Sequence, residues 1–266
     1  MNQGNIRARW LTRAFVALLC FLSSISFAAN IAIVLDDIGN STLDYQALKL
    51  PRQVAFSLLP FTPEALAIGQ QAWAQERDLL LHIPMEAVGK NKYLGPGALR
   101  ADMNETELKA QLTRAIISLP FVQGINNHMG SKLTTMADPM RWTIEIVRNN
   151  ELFFLDSRTS KHTLAEQTAQ VLGVPVLRRH VFLDNLRSQA AIERQFNHAL
   201  TLARAGRDVI IIGHPYPETL SFLQHRLNQP LGAVNLVNIS QLMPIAEPAL
   251  AQQQPETLTQ TNQELN

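Results

Sequence analysis

Ile31-Ala-Ile-Val-Leu35-Asp36-Asp37-Ile38-Gly39 is the stretch that decides the fold of this chain. Five consecutive apolar residues, three of them β-branched, have the length and composition of a strand buried on both faces. Two carboxylates follow at once, and Gly39 gives the backbone freedom to turn behind them. The same form recurs down the chain. Leu79–Leu81 ends in His82, Gly124–Asn126 leads to Asn127-His128, and Leu152–Leu155 ends in Asp156-Ser157-Arg158. Val181–Leu183 ends in Asp184-Asn185, and Val209–Ile212 ends in Gly213-His214. Val54–Leu59 and Val234–Val237 read as further strands.

Helical signals fill the intervals. Thr62-Pro63 and Asp138-Pro139 each set a cap residue before a proline suited to the first helical position. Asn104 with Glu107 reads as a capping box. Gln189–Ala205 carries Ile192, Phe196, Leu200 and Ala203 at helical spacing and stops at Gly206. This alternation predicts an α/β fold over residues 30–244: a (β/α) barrel of seven or eight parallel strands, closed or nearly closed. An open doubly wound sheet is the alternative. Neither a GxGxxG nor a Walker sequence is present, so no nucleotide cofactor is expected.

The ends read differently from the body. Arg7, Arg9 and Arg13 precede an apolar run, Ala14 to Leu22, and Ser26-Phe27-Ala28 closes it with small residues. Residues 1–28 therefore read as a secretory signal peptide. The run falls short of the about 20 apolar residues that a membrane span needs, so no stable span is expected after cleavage. The only cysteine, Cys20, lies in this leader. A mature chain without thiols excludes disulfides, zinc–thiolate sites and cysteine nucleophiles. Export without disulfides points to a bacterial periplasm. Residues 247–266, rich in Gln, Pro and Asn, read as a disordered tail. Beyond the leader there remain 20 basic residues against 22 acidic. That near-neutral body carries no electrostatic footprint for nucleic acid.

In parallel α/β folds every C-terminal strand end lies on one face, so these polar residues meet in one cleft. A single Asp or His after a strand is often only a turn former or packing residue. Adjacent carboxylates after a buried strand are different, because like charges there need a cation or a shared proton. Imidazoles with a carboxylate make a mixed N/O set for Zn²⁺ or a related divalent ion. A second carboxylate as base and a separate histidine as acid would complete a set for metal-assisted hydrolysis. A serine triad is the competing chemistry, but none of Ser41, Ser131 and Ser157 stands in GxSxG.

At these residues the chain resembles the polysaccharide deacetylases of the NodB-homology class, and more closely their divergent, YibQ-like branch. The resemblance runs from about Asn30 to Met243. Leu35-Asp36-Asp37-Ile38-Gly39 is similar to the family's first motif, and His82-Ile-Pro-Met-Glu86 occupies the place of the second. Gly213-His214-Pro215 resembles the last. Asn126–Ser131, Asp156–Thr159 and Phe182–Asn185 look like signatures of the divergent branch. The resemblance implies Asp36 as general base, Asp37 and His82 as metal ligands, and His214 as general acid. It also implies an incompletely closed barrel. Glu86 stands where the second metal histidine would be, and His128, from the next strand end, is its candidate replacement. The family's arginine-proline motif is missing as such, and Arg158 is a candidate to supply a positive charge. Asp156 and Asp184 are expected to line the cleft, holding His214 or meeting sugar hydroxyls. Asn127 is expected to support the site, and Tyr216 to stack on sugar. Trp73 and Trp142, in expected helices, read as packing residues.

The expected function is an exported hydrolase, dependent on a divalent ion such as Zn²⁺, that removes an acyl group, N-acetyl in the first instance, from an amino sugar of a glycan. The rival of another class is an inactive glycan- or envelope-binding protein that keeps the barrel. Hydrolysis of a phosphate ester is a third reading, disfavoured by the neutral body.

Overall fold

The computed structural model describes residues 29–244. The expected leader and tail lie outside the described residues, and no described helix is long and apolar enough to cross a membrane. The first strand, β1 (Ala29–Ile38), pairs with β2 (Ala55–Leu58) on one edge and with β8 (Val209–Gly213) on the other. The sheet continues through β3 (Leu79–Met85), β4 (Gly124–Met129) and β5 (Phe153–Asp156) to β6 (Val176–Arg178), and beyond β8 to β7 (Val181–Phe182). A short β9 (Val234–Leu236) pairs with the start of β1 at Ala29–Ile31. Every pairing is parallel. The eight strands curl into an open half-barrel. Its two edges, β6 and β7, are consecutive in the chain and separated only by Arg179 and His180. The amide of Arg179 donates to Asp156 on β5, whereas that of His180 donates to Ile210 on β8. The chain thus steps across the seam rather than closing it.

Alternation along each strand divides the apolar residues into two layers. Ile31, Ile33, Leu35, Leu79, Leu81, Ile125, Phe154 and Ile211 face the helices. Ala32, Val34, Ala55, Leu80, Phe153, Leu155, Ile210 and Ile212 fill the lumen. The helices are α1 (Ala65–Ala74), α2 (Glu105–Ser118), α3 (Ala137–Asn149), α4 (Ala165–Val171), α5 (Gln189–Arg204) and α6 (Pro217–Leu227). In α5 the four residues of the expected stripe are all buried, each worth roughly 1.5–3 kcal/mol for the larger side chains. The Asn104–Glu107 capping box forms reciprocally.

Two expected helix starts shift. Thr62 bonds the Leu59 carbonyl in a turn, and α1 begins only at Ala65. In α3 the cap position is Met136, so Asp138 sits within the first turn, where its charge still favours the helix end. β6 was not expected, because three residues without an apolar run give no periodic signal. The floor of the barrel is closed by a 3-10 turn, Ile239–Leu242, with Ile239 in the lumen core. Asp78 fixes that turn by accepting from the Ser240 amide at 2.8 Å.

Candidate metal and acid–base centre

Lumen-facing parity carries Val34 on to Asp36 and Leu80 on to His82, so both side chains rise from the packed lumen. The same rule would send Asp37 to the helices with Leu35. A bulge prevents this. Between Leu35–Phe56 and Ile38–Leu58, β1 advances three residues while β2 advances two. Asp37 takes up the extra residue in a left-handed conformation, φ 62°. Asp is among the residues that tolerate this, at a cost of about 1 kcal/mol. Gly39 completes the turn at φ 120°, where a Cβ would come within 2.7 Å of Ala65 Cβ. The Asp44 carboxylate locks the loop by accepting from the Gly39 and Ser41 amides at 2.9 and 3.2 Å. The bulge is therefore what turns a sequential Asp-Asp pair into two carboxylates at one mouth.

Asp37 Oδ1 lies 3.2 Å from His82 Nε2 and 2.8 Å from His128 Nδ1. One ligand atom from each of the three residues falls within 4.8 Å of the others. Asp37 Oδ1 is buried, yet no N–H is aligned on it. Two imidazole nitrogens thus approach a carboxylate oxygen without a proper hydrogen bond, a geometry that suits a shared cation. His82 is set for that role. Its Nδ1 meets Asn126 Oδ1 at 2.7 Å, and Asn126 Nδ2 donates to Asp36 Oδ1 at 2.8 Å. The Ser57 hydroxyl also donates to Asn126 Oδ1. With Nδ1–H spent on Asn126, a neutral His82 presents its Nε2 lone pair to Asp37.

The electrostatics divide the two aspartates. Burial opposes charge on Asp37, but the close approach of the His128 and His82 rings outweighs it and holds its carboxyl well below the usual range. Burial pushes Asp36 up, beyond the lowering by His82, His214 and Asn126. One carboxylate is thus a persistent anion and the other a stronger base. Burial lowers His82, but Asp36, Asp37 and Asn126 together raise it to about 9. A cation entering this cluster has to displace that proton.

His214 follows β8 and is held separately. Its Nδ1 meets Asp184 Oδ1 at 2.9 Å, and its amide donates to Asp184 Oδ2 at 2.6 Å. Thr219, at the start of α6, donates to the same Oδ2 at 2.8 Å. Burial lowers the His214 pKa, but Asp184 first, then Asp37 and Asp36, raise it above the ordinary value. His214 Nε2 lies 3.8 Å from Asp37 Oδ2, within reach of the cluster but outside it.

The remaining expected site residues have other places. Glu86 is not near the ligand cluster; it pairs with Lys132 at 2.5 Å and accepts from the Ala101 amide, binding two loops together. Asn127 staples β4 to β5, accepting from the Ser157 amide at 3.0 Å and donating to the Met129 carbonyl. Asp156 does not line the cleft. It shares Phe154's face, is fully buried, and accepts from the Arg158 amide at 2.8 Å. Asp184 alone holds His214. Tyr216 stacks on His214 at 5.2 Å and carries the Arg187 guanidinium 3.5 Å from its ring centre. Its ring thus has protein partners, and the residue also lines a cavity at the mouth. Trp73 stands half exposed on α1 and Trp142 packs against the core.

Sequence reasoning gave no role to Ser57, Asn126, Arg179 or Thr219. Two of them carried a signal. Ser57 is polar at a lumen position in the otherwise apolar β2, and Asn126 lies in the same register as His82 on the neighbouring strand.

Residues 33–243 match the family described as divergent polysaccharide deacetylase, and the chain belongs to that family. Among its relatives is the uncharacterized protein YibQ of Escherichia coli (strain K12), 37% identical over 231 residues, covering 86% of this chain and 72% of the relative. An uncharacterized protein of Haemophilus influenzae is 36% identical over 222 residues, covering 83% of this chain and 79% of its own. The crystal structure of the uncharacterized protein ATU2773 from Agrobacterium tumefaciens C58 superposes with a TM-score of 0.77 at 22% identity, over 82% of this chain and 91% of that one.

Proposed function

We propose that this protein is a metal-dependent hydrolase that removes an acyl group, N-acetyl in the first instance, from an amino sugar of a glycan. One observation carries the reading: a buried, unsatisfied Asp37 oxygen between two imidazoles, with a raised carboxylate and a raised histidine beside it. Asp37, His82 and His128 would hold a divalent ion, Zn²⁺ by the chemistry of the set. Such an ion supplies Lewis-acid polarisation of the acyl carbonyl.

The chain's own residues do the proton work. Asp36, with its raised pKa, takes a proton from the attacking water. His214, whose protonated form Asp184 favours, gives one to the departing nitrogen as the C–N bond breaks. The products are a carboxylic acid and a free amino sugar. Asn126 serves both halves, fixing the His82 tautomer and orienting Asp36.

The leader-like N-terminus and the thiol-free body support a periplasmic location, and the neutral body supports a glycan rather than a nucleic acid partner. The test is metal analysis of the purified protein together with acetate release from a panel of N-acetylated glycans. Stoichiometric Zn²⁺ with acetate release supports the reading. Tight metal binding with no release from any glycan would instead favour a binding module that kept the barrel.

A further inference from the structure

A row of stacked side chains crosses the mouth of the barrel. Arg179 lies over Phe182 at 5.0 Å, and Phe182 meets the His214 ring edge-on at 5.5 Å. His214 stacks on Tyr216 at 5.2 Å, and Arg187 covers Tyr216 at 3.5 Å. The row has the proposed acid at its centre and a guanidinium at each end. Two cavities follow the same division. An inner one of about 400 Å³ is lined by Asp36, Ser157, Arg158, Arg179 and His214 among others. An outer one of about 540 Å³ is lined by Lys90, Tyr93 and Arg187 among others. His128 stands in the wall of both.

The polar groups of the inner cavity are unfinished. Arg179 occupies the seam between β6 and β7, with Nε donating to the Ser157 carbonyl at 2.7 Å and Nη2 to the Arg158 carbonyl at 3.0 Å. Those bonds fix the guanidinium; Asp36 and Asp156 attract it from a distance, but no carboxylate among the described residues is in ion-pair contact with it. Arg158 has only Asp156, at 3.9 Å. Ser157 Oγ is buried in the same wall and has no hydrogen-bond partner among the described residues. A fixed guanidinium beside an idle hydroxyl is complementary to a planar anion.

We propose that the inner cavity receives a carboxylate of the substrate on Arg179 and Ser157, so that the glycan this protein acts on is an acidic one. The sugar part of this proposal rests on the deacylase reading above. A carboxylate suits the cavity better than a phosphate dianion, because Asp36 lines it and repels additional negative charge. Lys90 and Arg187 add positive charge to the outer cavity, which Asp37 also lines.

The test is calorimetric binding to the metal-loaded protein at low salt. The probe is a tetrasaccharide alternating N-acetylglucosamine with glucuronic acid, set against the same molecule with its carboxyl groups reduced to alcohols. The acidic member should bind at least about tenfold tighter, a ratio in the range of one charge-assisted hydrogen-bonded pair. Arg179→Gln should bring the ratio close to one, and Ser157→Ala should reduce it about threefold. The serine variant keeps the test open if the arginine variant does not fold. Equal affinity for both members, or no binding of the acidic one at millimolar concentration, overturns the proposal. So does an equal loss on both in Arg179→Gln, which would make Arg179 a support for Asp36. Selective binding without acetate release would overturn the deacylase reading and leave the carboxylate site standing.

Discussion

Two carboxylates at the mouth of this barrel, Asp184 buried and Asp37 half-buried, are built in opposite ways. Asp184 is finished by the protein: its oxygens accept from the His214 amide, the His214 ring and the Thr219 hydroxyl. Asp37 is unfinished, with a buried Oδ1 approached by two imidazole nitrogens and satisfied by neither. It also sits on a strained, left-handed backbone that the surrounding loop imposes. A satisfied carboxylate positions its neighbour, whereas an unsatisfied one held against two imidazoles is arranged for something that arrives from outside. The contrast separates a holding residue from a ligand, although both are aspartates after a parallel strand.

The strongest way to break this contrast is Asp37→Ala. Removing a direct ligand should weaken Zn²⁺ binding by more than the roughly 10- to 100-fold typical of a supporting residue. The fold should survive, because Asp37 packs little and the alanine relieves no contact in the core. Metal content after dialysis and a circular dichroism spectrum measure both. Retention of a full equivalent of metal would show that Asp37 is not a ligand. On the other side, His214→Ala should cut turnover of an amide substrate by about 10² to 10⁴ and leave metal content unchanged. An activated ester, whose leaving group scarcely needs a proton, should lose much less. Loss of the metal in this variant would place His214 among the ligands.

Asn126→Ala tests the link between the two halves. His82 Nδ1–H loses its acceptor and Asp36 loses its amide donor. Zn²⁺ affinity should fall about 10- to 100-fold, as expected for the residue that fixes a histidine ligand's tautomer. Competition titration with a chromophoric chelator reads this directly. An unchanged affinity would mean that His82 is oriented by packing alone.

Much of the architecture was legible because parallel strands buried on both faces leave continuous apolar runs, and their polar terminators stand out. Ile31–Leu35, Leu79–Leu81 and Val209–Ile212 are strands in the structure, and Asp37, His82 and His128 meet. What the sequence concealed depended on register and hand. Asp156 and Asp184 look alike in sequence, each an acid after a hydrophobic strand. One faces the helices and caps a turn, while the other holds the histidine. Parity within a strand of four residues or fewer cannot be fixed without its neighbours. The seam is the second hidden feature. Arg179 belongs to a two-residue step between two very short strands, so no periodicity marked it. Glu86 shows the same limit: its place four residues after His82 gave no sign of Lys132 and the Ala101 amide, which claim its carboxylate.

The smallest predicted effect sharpens the comparison most, because it alters only how finished Asp184 is. Thr219 is fully buried, and its hydroxyl is one of three donors to that carboxylate. Thr219→Val keeps the shape and removes the hydrogen bond. The net loss should be about 1 kcal/mol, the usual worth of one intramolecular hydrogen bond, or a melting temperature lower by about 2–4 °C for a domain of this size. Asp184 keeps two partners, both from His214, so the imidazole should stay in place. Turnover should therefore fall less than about tenfold, and Zn²⁺ affinity should not change, since the Thr219 hydroxyl bonds Asp184 and not Asp37, His82 or His128. Differential scanning fluorimetry, single-substrate kinetics and the chelator titration give the three readouts. If turnover collapsed as in His214→Ala while the melting temperature held, Thr219 would be tuning the acid itself. The completed state of Asp184 would then be part of the chemistry rather than its scaffold.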